Sequence, residues 1–476
     1  MKSTLYRQLE RYCSFGPYPF HMPGHKRRLM PQEELPYGWD LTEVEGVDDL
    51  HEAEGILKDA MDRTAEVFGA KRSWYLVGGS TCGLLAGIRA LAPGGSQVIA
   101  ARNCHKSVYH AMELGNLQVH WIMPEMLPEG VCGSISPQQV EAAVEKFPDS
   151  ACVILTGPTY EGVISDIRAI GEICHRRGIP LLVDEAHGAH LGLAEGWPDS
   201  ALHLGADIAV QSVHKTLPSL TQTALLHIPE GSLADPEEIE RQLDVFETSS
   251  PSYPLMCSID GCSELIAKEG AELFAKWLER IRKFELGARQ LQHMHLLGHE
   301  GEPRNGIFGF DPGKLPICTA GTELSGPQLG KLLRERHGLE TEMCQGDICL
   351  AMTGLGDSDR AMDHLLEALL EIDRGLTVCH RRTAMTLPAP GETRYLPGDA
   401  VIQKREEQPL SLAVGAVAGE YVWAYPPGVP LIVPGERITA EFLSVYQGLE
   451  ESGNRLHHSF CREKGKISVI PEGRCL

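Results

Sequence analysis

From about residue 56 onward, short apolar runs alternate with longer stretches whose apolar residues recur every third or fourth position. SWYLV (73–77) reads as a strand and TCGLLAGIRAL (81–91) as a helix stopped at Pro93-Gly94-Gly95. QVIAA (97–101) and SVYHAMELG (107–115) repeat the pair. LQVHWIM (117–123) precedes SPQQVEAAVEKF (136–147), where Ser136 is placed to cap a helix whose first position is Pro137. ACVILTG (151–157), DIRAIGEICHRRG (166–178) and IPLLVDEAH (179–187) continue the series. Strand and helix in turn predict an α/β fold on a mostly parallel sheet with helices on both faces. Such sheets bind ligands at the carboxyl ends of their strands, which puts Gly78 to Thr81, His105, Thr156 to Glu161 and Asp184 to His187 along one rim.

Elsewhere the pattern changes. Residues 1–55 are rich in Pro, Gly and acids without a sustained period and read as an extended arm draped over a neighbour. Residues 231–295 are helical and charged, a Gly- and Pro-rich stretch covers 299–316, and a second alternating unit runs from about 317 to 375. The last segment, from about 385, carries YPPGVPLIVPGE (425–436). The expected division is an arm (1–55), a large domain (56–300), a small α/β domain (301–380) and a C-terminal domain (381–476).

Composition narrows the partners. With 43 Lys and Arg against 65 Asp and Glu, the net charge of −22 repels phosphate backbones and anionic lipid, so neither nucleic acid nor membrane is expected. A cationic substrate suits that field, although a solvated acidic surface produces the same charge. The 14 cysteines include no CxxC pair, and neither an apolar signal core nor a long apolar run occurs, which reads as a cytoplasmic protein with reduced thiols.

LLVDEAHGAH (181–190) spells the acidic box of a helicase-type motor. Such a motor needs a phosphate loop to hold the nucleotide. No GxxxxGK[ST] is present, and the nearest stretch, GPQLGKL (326–332), has the wrong spacing and no hydroxyl after the lysine. The box is therefore the end of a core strand that delivers an acid and a histidine to other chemistry.

Downstream, ADIAVQSVHKTLPSL (206–220) places Ser212, His214 and Lys215 after a strand, 31 positions beyond Asp184. A lone lysine after a strand is ordinarily solvated, and the combination is far more specific. A buried lysine amine can hold an aldehyde as a Schiff base. An aspartate at a buried strand end needs a cationic partner, and a pyridinium nitrogen supplies one. Gly78-Gly79-Ser80-Thr81 opens a helix and offers backbone N–H groups and hydroxyls to a phosphate. The set points to pyridoxal 5'-phosphate, with Ser212 and His214 completing the cradle, His105 over the ring and His187 a second candidate. No metal site is suggested.

These stretches resemble the fold-type I pyridoxal-phosphate decarboxylases of ornithine, lysine and arginine. The resemblance is carried by FHMPGHK (20–26), DLTEVEGVDDLH (40–51), LVGGST (76–81), RNCHKSV (102–108), GPTYEGV (157–163), VDEAHGAH (183–190), QSVHKTLPSLTQTALLH (211–227), TSSPSYPLMCSID (248–260) and YPPGVPLIVPGE (425–436), in the family's order along nearly the whole chain. It implies an aspartate-aminotransferase-like large domain with a smaller α+β C-terminal part. The implied activity is decarboxylation of arginine, lysine or ornithine to the amine, in polyamine-type metabolism.

By position, the resemblance makes Lys215 the Schiff-base lysine and Asp184 the partner of the pyridine nitrogen. His105 stacks on the ring, and His187 lies near the ring and its phenolic oxygen. Ser80, Thr81, Ser212 and His214 hold the phosphate, and Thr248 and Ser249 reach the neighbouring subunit's cofactor. A homodimer or dimer of dimers with shared sites follows. Gly78 stands where the family often has Asn, and no receiver-like domain precedes FHMPGHK, which argues against the decamers associated with it. For the acid that receives a substrate's distal cation, Glu436 is the candidate, with Asp48, Asp49 and Glu342 as others. Aminotransferase or carbon-sulfur lyase chemistry on the same fold is the alternative.

Overall fold

A computed structural model describes residues 18–20, 48–299, 305–379, 387–424, 428–451, 454 and 456–471. Most of the expected arm, including nearly all of FHMPGHK and the start of DLTEVEGVDDLH, lies outside these residues, as do residues 425–427 of YPPGVPLIVPGE. A short strand, β1 (Tyr18–Phe20), is described and pairs in parallel with residues Leu339–Thr341.

Seven strands form the central sheet: β2 (Arg72–Leu76), β3 (Gln97–Ala101), β4 (Gln118–Ile122), β5 (Val153–Thr156), β7 (Leu181–Asp184), β8 (Ile208–Gln211) and β9 (Ala224–Ile228); β6 (Val163–Ile164) lies outside it. Their order is β2-β9-β8-β7-β5-β3-β4, parallel from β8 to β4, with β9 antiparallel to both neighbours. Helices α1 (Ile56–Phe68), α2 (Gly79–Leu91), α3 (Lys106–Gly115), α4 (Pro137–Lys146) and α5 (Ile167–His175) connect or flank the strands. Ser136 caps α4 with Pro137 at its first turn, as the sequence predicted.

Continuous apolar strands such as LLVD and IAVQ are buried along their whole length, the signature of a sheet covered on both faces. Ile99, Ile154, Leu182, Ile208 and Val210 are all 0% exposed. Each such side chain contributes about 1.5–3 kcal/mol by leaving water. Helix α2 lies unusually close to this core. A Cβ at Gly83 would stand 2.5 Å from a Leu76 methyl and 3.0 Å from one of Val210, so glycine is what lets the helix seat. That seating aims the N-terminus of α2 at the carboxyl ends of β7 and β8.

After the short helix α6 (Val213–Thr216), α7 (Pro236–Phe246) and the long α8 (Tyr253–Ala288) lead to a second unit. Its strands are β10 (His295–Leu296), β12 (Lys314–Cys318), β14 (Met343–Gln345) and β15 (Ile348–Met352), while β11 (Gly309–Phe310) pairs with β6 and β13 (Leu339–Thr341) with β1. Within its sheet every pairing is antiparallel. The reason is local: only Gly346 and Asp347 separate β14 from β15, and two residues cannot make a parallel crossover. Helices α9 (Gly326–His337) and α10 (Asp359–Asp373) cover this sheet.

The described residues of the last part form two three-stranded sheets, a short helix, Pro397–Val401, and a longer one, Ala440–Glu451, with an apolar cluster of their own. Among the described residues no helix is long and apolar enough to cross a membrane.

Candidate functional site

A cavity of about 340 Å³ opens at the carboxyl ends of β5, β7 and β8. The first turn of α2 forms one wall, and Leu387, Ala424, Val429 and Leu431 of the C-terminal part close another. Ser80, Thr81, His105, Asp184, His187, Ser212, His214 and Lys215, singled out from sequence, all line it.

Within DEAH the alternation of the chain separates the two acids. Asp184 faces the cavity, 2% exposed, and its Oδ1 accepts the Ala186 amide at 3.2 Å. Glu185 turns away and accepts from Ser200, the Ala201 amide and Gln211, each at 2.7 Å, so it is a structural anchor with its pKa pushed up to about 7 by burial. Burial likewise raises Asp184, and the nearby Lys215 amine opposes that. Lys215 itself is lowered by burial, with Asp184 and Glu342 acting in the other direction.

Two lysines flank His187. Lys215 Nζ lies 3.0 Å from Nε2, and Lys314 Nζ lies 3.0 Å from Nδ1. Burial, then Lys215 and Lys314, hold the His187 pKa well below its usual value, so the ring is neutral. A neutral imidazole has one N–H and one lone pair, and therefore donates to one amine and accepts from the other. The amine that accepts must itself be uncharged. Nε2 thus faces the Lys215 amine and Nδ1 the Lys314 amine, and one of the two is the uncharged partner.

His105 caps α3: its Nδ1 accepts the Ser107 amide at 3.3 Å, which leaves the ring proton on Nε2. Burial, then Lys215, pulls its pKa down to about 3, so it too presents a neutral ring to the cavity. His214 Nδ1 donates to the Thr223 carbonyl at 2.8 Å, fixing that ring.

At the helix end, Gly78 precedes α2 without a side-chain cap, and Ser212 Oγ donates to Ser80 Oγ at 2.9 Å. Ser80 and Thr81 lie inside the first turn of α2. A buried amide oxygen on the same wall, Asn103 Oδ1, has no hydrogen-bond partner among the described residues. A helix N-terminus with hydroxyls at one end, a buried amine in the middle and a buried carboxylate beyond fit a phosphorylated, aldehyde-bearing heterocycle.

Other expectations fall elsewhere. Glu436 does not line the cavity: its carboxylate is bound in bidentate fashion by Arg102 at 2.7 and 2.8 Å and accepts the Val433 amide, with the pair essentially unexposed. The partner, 334 positions away, was invisible to sequence reading. Asp48 accepts the amides of Asp49, Glu54, Gly55 and Leu57 ahead of α1, and Asp49 accepts that of His51, so both serve the backbone. Glu342 stands behind the wall and accepts from the Tyr160 hydroxyl at 2.5 Å. Thr248 and Ser249 are outside this chain's own cavity.

Sequence reasoning put Tyr160 and Glu161 on the rim without giving them a role, and it missed Lys314 and Glu247. Lys314 is buried beside His187; Tyr160 tilts its ring 4.5 Å from that of His187; Glu161, half-buried on the wall, accepts from the Thr159 hydroxyl at 3.1 Å. Glu247 accepts the Val77 and Gly78 amides just before α2. GPTYEGV carried two of these on the expected rim, but nothing local gave either a role there.

Comparison with known proteins bears on the family and the fold. Residues 3–314 match the family described as Orn/Lys/Arg decarboxylase, major domain, and residues 390–456 match its C-terminal domain. The chain is 34% identical over 463 residues to the arginine decarboxylase of Bacillus subtilis (strain 168), a match covering 94% of each. Among solved structures, a lysine decarboxylase of Francisella novicida superposes with a TM-score of 0.77 at 17% identity, over 98% of this chain and 84% of that one. The pyridoxamine-pyruvate aminotransferase of Mesorhizobium loti gives 0.54 at 17% identity, over 68% and 85%. The fold is the fold-type I architecture that the resemblance implied.

Proposed function

The chain belongs to the Orn/Lys/Arg decarboxylase family, and on that premise we propose that it binds pyridoxal 5'-phosphate in the cavity described and removes the α-carboxylate of a basic amino acid, with arginine the first substrate to test. The observation that carries this reading is the placement of Lys215 and Asp184 in one cavity, beside a helix N-terminus furnished with hydroxyls.

Lys215, Asp184, Ser80, Thr81, Ser212 and His214 are the residues that would hold the cofactor, with His105 covering one face of its ring. When bound, the cofactor supplies an electron sink for the carbanion left by loss of carbon dioxide. Asp184 contributes a buried carboxylate that favours a protonated nitrogen opposite it. Burial lowers the pKa of Lys215, which favours the neutral amine whose lone pair bonds to a carbonyl carbon, and His187 Nε2 lies 3.0 Å from it. Lys215 and His187 are also the groups able to return a proton to the substrate's Cα.

Among the lining residues, the carboxylates are Asp184 and Glu161. Glu161 is raised by burial, so a cationic side chain beside it gains the charge partner that the apolar wall withholds. We assign it, with Glu342 behind Tyr160, to the distal ammonium or guanidinium, in place of Glu436. Thr248 and Ser249 would reach a second subunit's site in a homodimer. Amine formation of this kind suits polyamine-type metabolism.

The test is carbon dioxide release from arginine, lysine and ornithine with keto acid measured in parallel. Carbon dioxide in step with amine is the expected result. Keto acid without carbon dioxide would replace this reading with the aminotransferase alternative.

A further inference from the structure

Cys344 on β14 and Cys349 on β15 face each other across the hairpin. The two-residue loop Gly346-Asp347 closes on the pair Gln345–Ile348, so the next pair along sits at the position where antiparallel strands bring side chains closest. Their Sγ atoms are 2.8 Å apart, and the Thr341 hydroxyl is 3.1 Å from the first and 3.5 Å from the second. A disulfide at about 2.05 Å requires the sulfurs to close by less than ~1 Å. Helix α9 makes room for the pair: a Cβ at Gly330 would stand 2.3 Å from the Cys344 sulfur.

The two thiols are unequal. Cys349 is 0% exposed, while Cys344 is half-buried. The Cys349 thiol and the Thr341 hydroxyl hold Cys344 below the usual thiol range, and burial pushes Cys349 well above it. Cys344 is thus the attacking sulfur and Cys349 the resolving one.

We propose that Cys344 and Cys349 form a peroxide-oxidised dithiol site whose closure is felt in the cavity through Glu342. In the first step the Cys344 thiolate attacks one oxygen of hydrogen peroxide; the O–O bond breaks, an S–OH forms, and the departing hydroxide takes a proton to become water. The Cys349 sulfur then attacks the Cys344 sulfur; the S–S bond forms, hydroxide leaves and takes the Cys349 thiol proton. Two thiols and one peroxide become one disulfide and two waters. Glu342 lies two residues before Cys344, its amide donates to the Leu350 carbonyl at 2.9 Å, and its carboxylate holds Tyr160, which lines the cavity against His187. Drawing β14 towards β15 moves that carboxylate. This second half rests on the reading that the cavity takes a basic amino acid.

Purified holoenzyme is treated with hydrogen peroxide, its free thiols are blocked with N-ethylmaleimide, and its peptides are mapped by mass. A Cys344–Cys349 cross-link that dithiothreitol reverses is expected, with Cys349→Ser leaving a dimedone-reactive Cys344. Absence of the cross-link, or preferential oxidation of other cysteines, overturns the site. In parallel, KM for the amino acid is expected to rise about fivefold on oxidation and to stay constant in Cys344→Ser and Cys344→Ala, each checked for fold by circular dichroism. A cross-link with unchanged KM overturns the coupling. A protein inactive on every amino acid sinks the functional reading alone, since the mass map does not depend on turnover.

Discussion

Lys314 places its Nζ 3.0 Å from Nδ1 of His187, on the side of the ring opposite Lys215. The two amines thereby hold the ring from both sides and fix its orientation. Replacing the first of them, as in Lys314→Met, is expected to lower kcat/KM by about 10–100-fold, the usual effect of losing a partner that orients a catalytic ring. The pH profile gives the sign. Lys314 depresses the His187 pKa, so its loss moves the acid limb to higher pH, whereas a purely structural role for Lys314 leaves the limb in place.

Borohydride treatment of the cofactor-loaded enzyme is expected to fix the cofactor on the peptide that contains Lys215. Lys215→Ala should lose that adduct. A labelled peptide elsewhere in the chain defeats the assignment.

Asp184→Asn keeps the shape of the strand end and removes the buried charge. Turnover is expected to fall by about 10²-fold or more, the scale of a lost electrostatic contact to developing charge, with part of the cofactor absorbance retained. Unchanged turnover removes Asp184 from the mechanism.

Arg102 and Glu436 are a buried pair, so Glu436→Gln is expected to destabilise the fold by about 3–5 kcal/mol by leaving the guanidinium uncompensated. Denaturant unfolding measures this, and Arg102→Met combined with Glu436→Leu should cost less than either single change. A raised KM at intact stability would instead return Glu436 to the substrate.

Stability should fall as pH drops below about 6.5. His105 and His227 are buried with pKa values near 3 against 6.5 when unfolded, so between those limits the unfolded chain binds protons that the folded one refuses. Each contributes up to about 1.4 kcal/mol per pH unit in that window. His227, held by Ser73 and Gln211 away from the cavity, gives the clean test: His227→Gln should flatten the melting temperature between pH 6.5 and 4.5, and a slope identical to that of the unaltered protein refutes the assignment.

Much of the site was legible because its chemistry is local to strand ends. A carboxylate after LLV and a lysine after SVH stand at the ends of runs whose apolar character already announced a covered sheet. Unbroken burial on both faces left the carboxyl edge as the place for polar groups to gather, and Asp184, Lys215, Ser212 and His214 were read there. The helix start at GGST was legible for the same reason, except that the chain begins its helix one residue before Ser80.

By itself the sequence determined the α/β alternation and the residues suited to one cofactor, since these depend on periodicity and on side-chain types at short spacing. Only the tertiary structure decided which acids remain free to meet a substrate. Glu436 was withdrawn into a pair with Arg102 from 334 positions away, and Lys314 was brought 127 positions to the far side of His187. Glu161 was left on the cavity wall. A charge's availability depends on what the folded chain packs against it, and that partner is chosen by the closing of the whole molecule, not by the neighbours along the chain.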